Sequence, residues 1–329
     1  MRPLHSKFLA MLVSLLIASS LLLITSFNLA GLSDVYKRLE LFTYDLRMQV
    51  HLALSPQEVQ PEAAQIIILD IDEESLQKIG RWPWSRATLA QMVSQLANAG
   101  AAVIGFDVLF GEAERNPANE VLSQLEVTSP LHQQLSQLES QFDYDLHLAQ
   151  LIEASPADVV LGYIFHYNYP LKSGLLPVAL TLPEQEASLV SQLAMPKTTG
   201  YAAPLEVLTQ AAAGSGFFSL LPDADGVVRR APLITRYNQQ LYPALAVEML
   251  RNYLFLQDFS FTSAPINNQQ HLEKVWLDAN LDVPTDSSGQ MLIPYRGTTK
   301  SFPYVPAWQV FEEALSDEQK AFSGQQNAL

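Results

Sequence analysis

The sequence has no cysteine, few basic residues and a modest share of charge. Without cysteine there are no disulfides, no thiolate nucleophile and no Cys-ligated zinc or iron–sulfur cluster. Nineteen basic side chains stand against 34 acidic ones, a formal net charge of −15 at pH 7. That shortage of positive charge argues against a nucleic-acid partner, which needs a basic face. Charged residues are only 16% and hydrophobic ones 48%, a composition that argues against intrinsic disorder. Also lacking are a glycine-rich phosphate loop, a Walker lysine and a nucleophile elbow. The histidines His5, His51, His132, His147, His166 and His271 show no paired ligand spacing, and no internal repeat is present. The sequence assigns no catalytic residue, no metal ligand and no cofactor.

What is present begins at the N-terminus. No charged residue lies between Phe8 and Leu32, long enough as a helix to cross a hydrocarbon core of about 30 Å. Arg2, His5 and Lys7 form a short basic lead. The run is long for a cleaved signal peptide and no clear Ala-x-Ala site closes it, so an uncleaved signal-anchor is expected. Arg2 and Lys7 precede the span while Lys37, Arg38 and Arg47 follow it, so charge alone does not set its orientation. A short tail before a long domain favours the bulk lying outside. The expected division is a cytoplasmic N-terminus at 1–7, a transmembrane helix at 8–32, a juxtamembrane helix and linker at 33–64, a globular domain at 65–316 and a polar tail at 317–329.

Val35, Leu39, Phe42, Leu46 and Val50 recur at helical steps. They predict an amphipathic helix, read either as packed on its own domain or as a homodimer seam or signal-transmitting stalk. The run from Gln65 to Asp72, the run from Ala102 to Phe110 and that from Asp158 to Phe165 read as strands buried on both faces. Thr88–Asn98 reads as a helix between the first two strands, giving a βαβ unit. Residues 112–129 read as a loop, and an apolar stripe from Leu131 to Ile152 predicts about six continuous turns of helix. Pro170–Pro204 is an insertion without a strong period. Two apolar strands flank the turn at Asp225-Gly226. Pro243–Phe255 and Trp308–Leu315 read as helices, with strands at Val275–Leu277 and Gln290–Tyr295 around the turn at Asp286–Gly289. The fold class is α/β: a mostly parallel central sheet flanked by helices, with an antiparallel C-terminal portion, preceded by one transmembrane helix.

Asp70, Asp72 and Asp107 fall near the ends of two strands expected to be parallel neighbours, the edge where open α/β sheets bind ligands. The alternative is that these aspartates cap helices and pair with arginines. Gly80-Arg81-Trp82-Pro83-Trp84-Ser85-Arg86 offers an aromatic platform with Arg86 gripping an anion. Its structural alternative buries the tryptophans and pairs Arg86 with Asp70 or Asp107. Arg229 and Arg230 alternate on one strand, so at most one can point into a site. The candidate ligand-binding set is thus Asp70, Asp72, Trp82, Trp84, Arg86, Asp107, Arg229 and Arg230.

In chain order, several pieces resemble the CHASE2 family of extracytoplasmic sensory domains. They are Phe42-Thr-Tyr-Asp-Leu-Arg47, Ile68-Leu-Asp-Ile-Asp72 before Ile79-Gly-Arg-Trp-Pro-Trp-Ser-Arg86, and Leu96 to Asp107 with its Gly-Phe-Asp ending. Gly216-Phe-Phe-Ser-Leu-Leu-Pro-Asp-Ala-Asp-Gly-Val-Val-Arg-Arg230 and Leu292-Ile-Pro-Tyr-Arg-Gly297 complete the set. The resemblance implies a sensor anchored by an N-terminal span in the inner membrane of a bacterium, facing the periplasm or exterior. It also implies a cytoplasmic output domain, such as a nucleotide cyclase or a kinase, after further spans. No such domain follows in these residues, so a fragment or a sensor-only variant is expected. The ligand is an unknown small molecule or periplasmic signal, and no enzyme activity is expected of the chain itself. The alternatives are the front portion of a cyclase-type receptor and a membrane-anchored Mg-dependent periplasmic hydrolase. From Asn116 to Val228 there are 12 acids and two bases, so most of the negative charge lies in the middle of the chain.

Overall fold

The computed structural model describes residues 14–15, 19, 32–54, 66–297 and 301–311. Among them no helix is long and apolar enough to cross a membrane. The expected span at 8–32 lies almost wholly outside the described residues, as do most of the linker and the polar tail. Contacts divide the chain into two compact units, one made of 1–63 with 295–302 and the other of 64–294 with 303–329.

Helix α1, Leu32–Leu54, belongs to the first unit. In the second, β1 (Ile68–Asp70) leads into α2 (Glu73–Ile79), whose N-terminus is capped by Asp72 accepting from Ser75 N at 2.8 Å. Ser85 caps α3 (Arg86–Asn98) in the same way, through Thr88 N. Both fit the rule that a short polar side chain satisfies the free N–H groups of a first turn. Then come β2 (Val103–Leu109), α4 (Pro117–Leu122), α5 (Pro130–Leu138), α6 (Tyr144–Glu153) and β3 (Asp158–His166). The expected six-turn helix is broken: Glu139–Phe142 tightens into a 3-10 turn, and Asp143 caps α6 afresh through Leu146 N. The expected loop at 112–129 contains α4, started by Asn116 and Pro117.

The insertion forms β4 (Lys172–Ser173), α7 (Glu184–Leu189) and β5 (Gly200–Ala202). After α8 (Glu206–Ala211) come β6 (Gly214–Phe217), β7 (Arg230–Pro232), β8 (Ile234–Tyr237), β9 (Gln240–Pro243) and α9 (Leu245–Tyr253). The remainder is β10 (Ser260–Ile266), β11 (Gln269–Asp278), β12 (Leu281–Pro284), β13 (Gln290–Leu292), β14 (Tyr304–Pro306) and a 3-10 turn at Ala307–Phe311.

The architecture is mixed α/β with parallel and antiparallel sheets. At its centre β3 pairs in parallel with β2 and β6, and its last three residues pair antiparallel with β5, which β4 joins in parallel. The C-terminal ladders β10–β11–β12, β8–β9 and β7–β13 are antiparallel. One expectation is corrected here. β1 is hydrogen-bonded in parallel to β14, so Asp70 and Asp107 do not end paired strands. The strands on either side of Asp225-Gly226 have different partners, β6 pairing with β3 and β7 with β13.

One face of the central sheet packs on α3, α6 and α8 through Leu89, Val93, Ile104, Phe106, Leu148, Val159, Leu161 and Leu208. The other face is covered by α9, which crosses β2, β3 and β6. That approach is close because glycines line it. A Cβ at Gly216 would meet the backbone of Leu245, and one at Gly105 would meet the Met249 thioether. A separate core joins the C-terminal ladders to the insertion through Leu180, Val190, Leu193, Leu233, Ile234, Phe261 and Val275. Arg236 ties the two by donating to the carbonyls of Val190, Ser191 and Leu193 at 2.8–3.0 Å.

The nature of the blocking atom sets the cost of filling these glycines. Gly216→Ala forces a helix backbone to move and is expected to lose about 1–3 kcal/mol, as overpacked cores do. Gly105→Ala displaces only a flexible methionine and should lose clearly less. Chemical denaturation of both variants checks this, and equal losses would contradict it.

Candidate functional site

Three groups of side chains hold the residues singled out in the sequence. The first surrounds the Trp-Pro-Trp segment. Trp84 is 5% exposed, donates from Nε1 to Gly80 O at 2.8 Å, and meets Trp82 edge-on at 5.4 Å and Phe311 at 6.4 Å. Leu69, Ile71, Ala307 and Val310 belong to the same core. The structure therefore gives Trp84 the structural role weighed for it, with Trp82 partly exposed beside it. Asp70 is half-buried at the end of β1, Asp72 caps α2, and Asp107 is exposed on β2.

The second group forms where α3 and α6 begin. Arg86 starts α3, and its Nε donates to Asp145 Oδ1 at 2.8 Å, with the side chains 13% and 10% exposed. Its terminal nitrogen donates to Glu112 O at 3.0 Å, and its guanidinium lies 4.7 Å from the centre of the Phe110 ring. Asp145 accepts Glu114 N on its other oxygen at 2.7 Å, and Glu114 accepts Arg86 N at 2.7 Å. The partner expected for Arg86 was Asp70 or Asp107; the structure supplies Asp145, because α6 brings its first turn to the same sheet edge as α3. Beside this network lies a depression of about 400 Å³, lined by Glu114, Asn116, Asn119, Asp143, Asp145 and Glu206 with Leu205 and Val207. None of the eight expected residues lines it; Arg86 adjoins it through Asp145 and Glu114.

The third group is a loop closed on itself. Gly226 N donates to Asp223 O and Asp223 N to Val227 O, which folds residues 223–227 into a turn with Gly226 at φ 83°. Arg229, 3% exposed as a residue, grips both oxygens of Asp225 at 2.8 and 2.9 Å and one of Asp223 at 3.0 Å. Arg230 reaches the other Asp223 oxygen at 2.7 Å. The Arg229 guanidinium, helped by Val227 N–H, lowers the Asp225 carboxyl to about 2. Strand alternation predicts that one arginine at most turns inward; Arg229 is buried while the Arg230 side chain is 34% exposed, and both meet the shared Asp223 carboxylate.

The sequence reading passed over Asp145, Glu114 and Asp223. Asp143-x-Asp145 repeats the Asp-x-Asp spacing of residues 70–72 at a helix start, and Asp223-x-Asp225-Gly226 stands just before two arginines. Those spacings were the available signals. Among the described residues no three His, Asp or Glu side chains are grouped to hold a metal ion.

The family model of the CHASE2 domain matches residues 16–326, nearly the whole chain. The chain belongs to the CHASE2 family. CHASE2 is an extracellular sensory domain family, so the globular unit is a sensory fold of the extracytoplasmic kind. No curated protein and no solved structure matches the chain.

Within this CHASE2 domain, Arg86 and Asp145 are a nearly buried ion pair in which each partner has further hydrogen bonds. Removing one partner strands the other, so Arg86→Ala is expected to cost about 3–5 kcal/mol. Arg86→Lys keeps the charge but not the planar fork that reaches both Asp145 and Glu112, and should fall between. Thermal and denaturant unfolding measure both, and a loss for Arg86→Ala below about 1 kcal/mol, as for an exposed pair, would contradict the assignment.

Proposed function

We propose that the chain is the extracytoplasmic input module of a bacterial membrane receptor, and that it has no catalytic step of its own. The CHASE2 match over residues 16–326 carries this reading. The uncharged stretch from Phe8 to Leu32 supplies an anchor in the inner membrane, and α1 follows it in the chain. A signal, taken up at the edge of the sheet where Arg86 and Asp145 meet the open depression, favours one arrangement of the domain over another. Only a ligand with different affinity for two such arrangements transmits anything. The change passes through the membrane helix to a cytoplasmic output domain outside these residues.

Placement in the membrane is the part of this reading that an experiment reaches first. The full chain, tagged at its N-terminus and expressed in a bacterium, is expected to stay in the membrane pellet after alkaline carbonate washing. In spheroplasts, added protease should degrade the 66–311 region and leave the tag. Release into the alkaline wash, or protection of the globular region until the membrane is opened, would overturn the proposal.

A further inference from the structure

We infer that α1 docks on a second copy of this chain, as a parallel, in-register helix pair along Val35, Leu39, Phe42, Leu46 and Val50. The inference rests on the membrane-receptor reading and names the partner that reading leaves open.

α1 is a regular helix of 23 residues. The stripe positions follow steps of four, three, four and four, which at about 100° per residue keeps them within one narrow face. They are all open: Val35 is 53% exposed, Leu39 57%, Phe42 65%, Leu46 52% and Val50 48%. From Val35 to Leu46 the spacing is the 3.5-residue repeat of a coiled-coil seam, and Gln49 continues that repeat with a polar side chain. Burying such a stripe against a copy of itself removes roughly 1,000 Å² in total, the lower bound for a specific interface.

A bilayer surface is the other occupant an apolar helix face can have, and the charges speak against it. Helices that lie in a membrane interface carry a polar face rich in Lys and Arg. Here Lys37, Arg38 and Arg47 are matched by Asp34, Glu40 and Asp45. Continuity with the anchor favours a second copy. Each copy leaves the same membrane in the same direction and at the same height, so two copies present the same stripe at the same level. Confinement of this kind raises the effective concentration of one stripe for the other, which suits an interface of minimal area.

The absence of cysteine makes the natural chain a clean background for the test. Single substitutions Val35→Cys, Leu39→Cys, Phe42→Cys and Leu46→Cys sample the stripe, and Glu40→Cys, Tyr44→Cys and Arg47→Cys sample the opposite face. A disulfide forms when two Cα atoms come within about 7 Å. Full-length variants in native membranes, mildly oxidised and run without reductant, are expected to give dimer bands several-fold stronger for the four stripe positions than for the other three. Uniform cross-linking, a maximum at Glu40, Tyr44 and Arg47, or no dimer at any position would overturn the inference. An antiparallel pair falls in the last class, because single positions then lie far apart. Carbonate washing of the same membranes separates the two failures. Variants retained in the membrane without stripe cross-links refute the helix pair and leave the receptor reading standing; variants that wash off refute both.

Discussion

A strand with water on neither face must find every hydrogen bond and every packing partner inside the protein, and β3 is such a strand. Val159 is 1% exposed, and Val160, Leu161 and Tyr163 are at 0%. Its edges are satisfied by β2 and β6 in parallel and by β5 at its end. Its two faces need helices, and they get them in different ways. Val159 and Leu161 project into the core shared with α3, α6 and α8. On the opposite face α9 comes close because Gly105, Gly214 and Gly216 present no side chain to it.

The candidate site follows from that arrangement. α3, α6 and α8 each precede a strand of the parallel set, so all three begin at the edge where those strands end. Their first turns place Arg86, Asp145 and Glu206 there, with Asp143 capping α6. Carboxylates are stabilised at helix starts by unpaired N–H groups and the helix dipole. Part of the acidity around the depression therefore serves the helices. What distinguishes the place is the cation set among these acids: Arg86 holds Asp145 with one nitrogen and Glu112 O with another.

Much of this was legible in the sequence. β2 and β3 stand out because strands buried on both faces read as unbroken apolar runs, and Asp72 stands out because capping uses few residue types. β1 was visible but its partner was not: its three residues pair with β14, at the far end of the same unit, and no local pattern encodes that. The stripe from Leu131 to Ile152 keeps helical spacing across a break, since periodicity does not register the 3-10 turn that lets Asp143 start a new helix. Asn238-Gln239 and Asn267-Asn268, all at positive φ, make the tight turns of β8–β9 and β10–β11. Turns with two such residues favour asparagine, a signal the apolar patterning alone does not contain. Among the candidate residues, Trp84 is buried and Asp72 caps α2, whereas Trp82 stays partly exposed and Arg86 found a partner that only the packing of α6 on α3 brings within reach.

The organising role of β3 is the claim on which the rest stands, and hydrogen–deuterium exchange of the full chain tests it residue by residue. Amides of residues 159–163 should be the slowest in the protein and should exchange only with global unfolding, with those of β2 and β6 next. The β10–β11 hairpin, with one edge unpaired in its sheet, should exchange well before them. Exchange of residues 159–163 as fast as that of the hairpin would contradict the account.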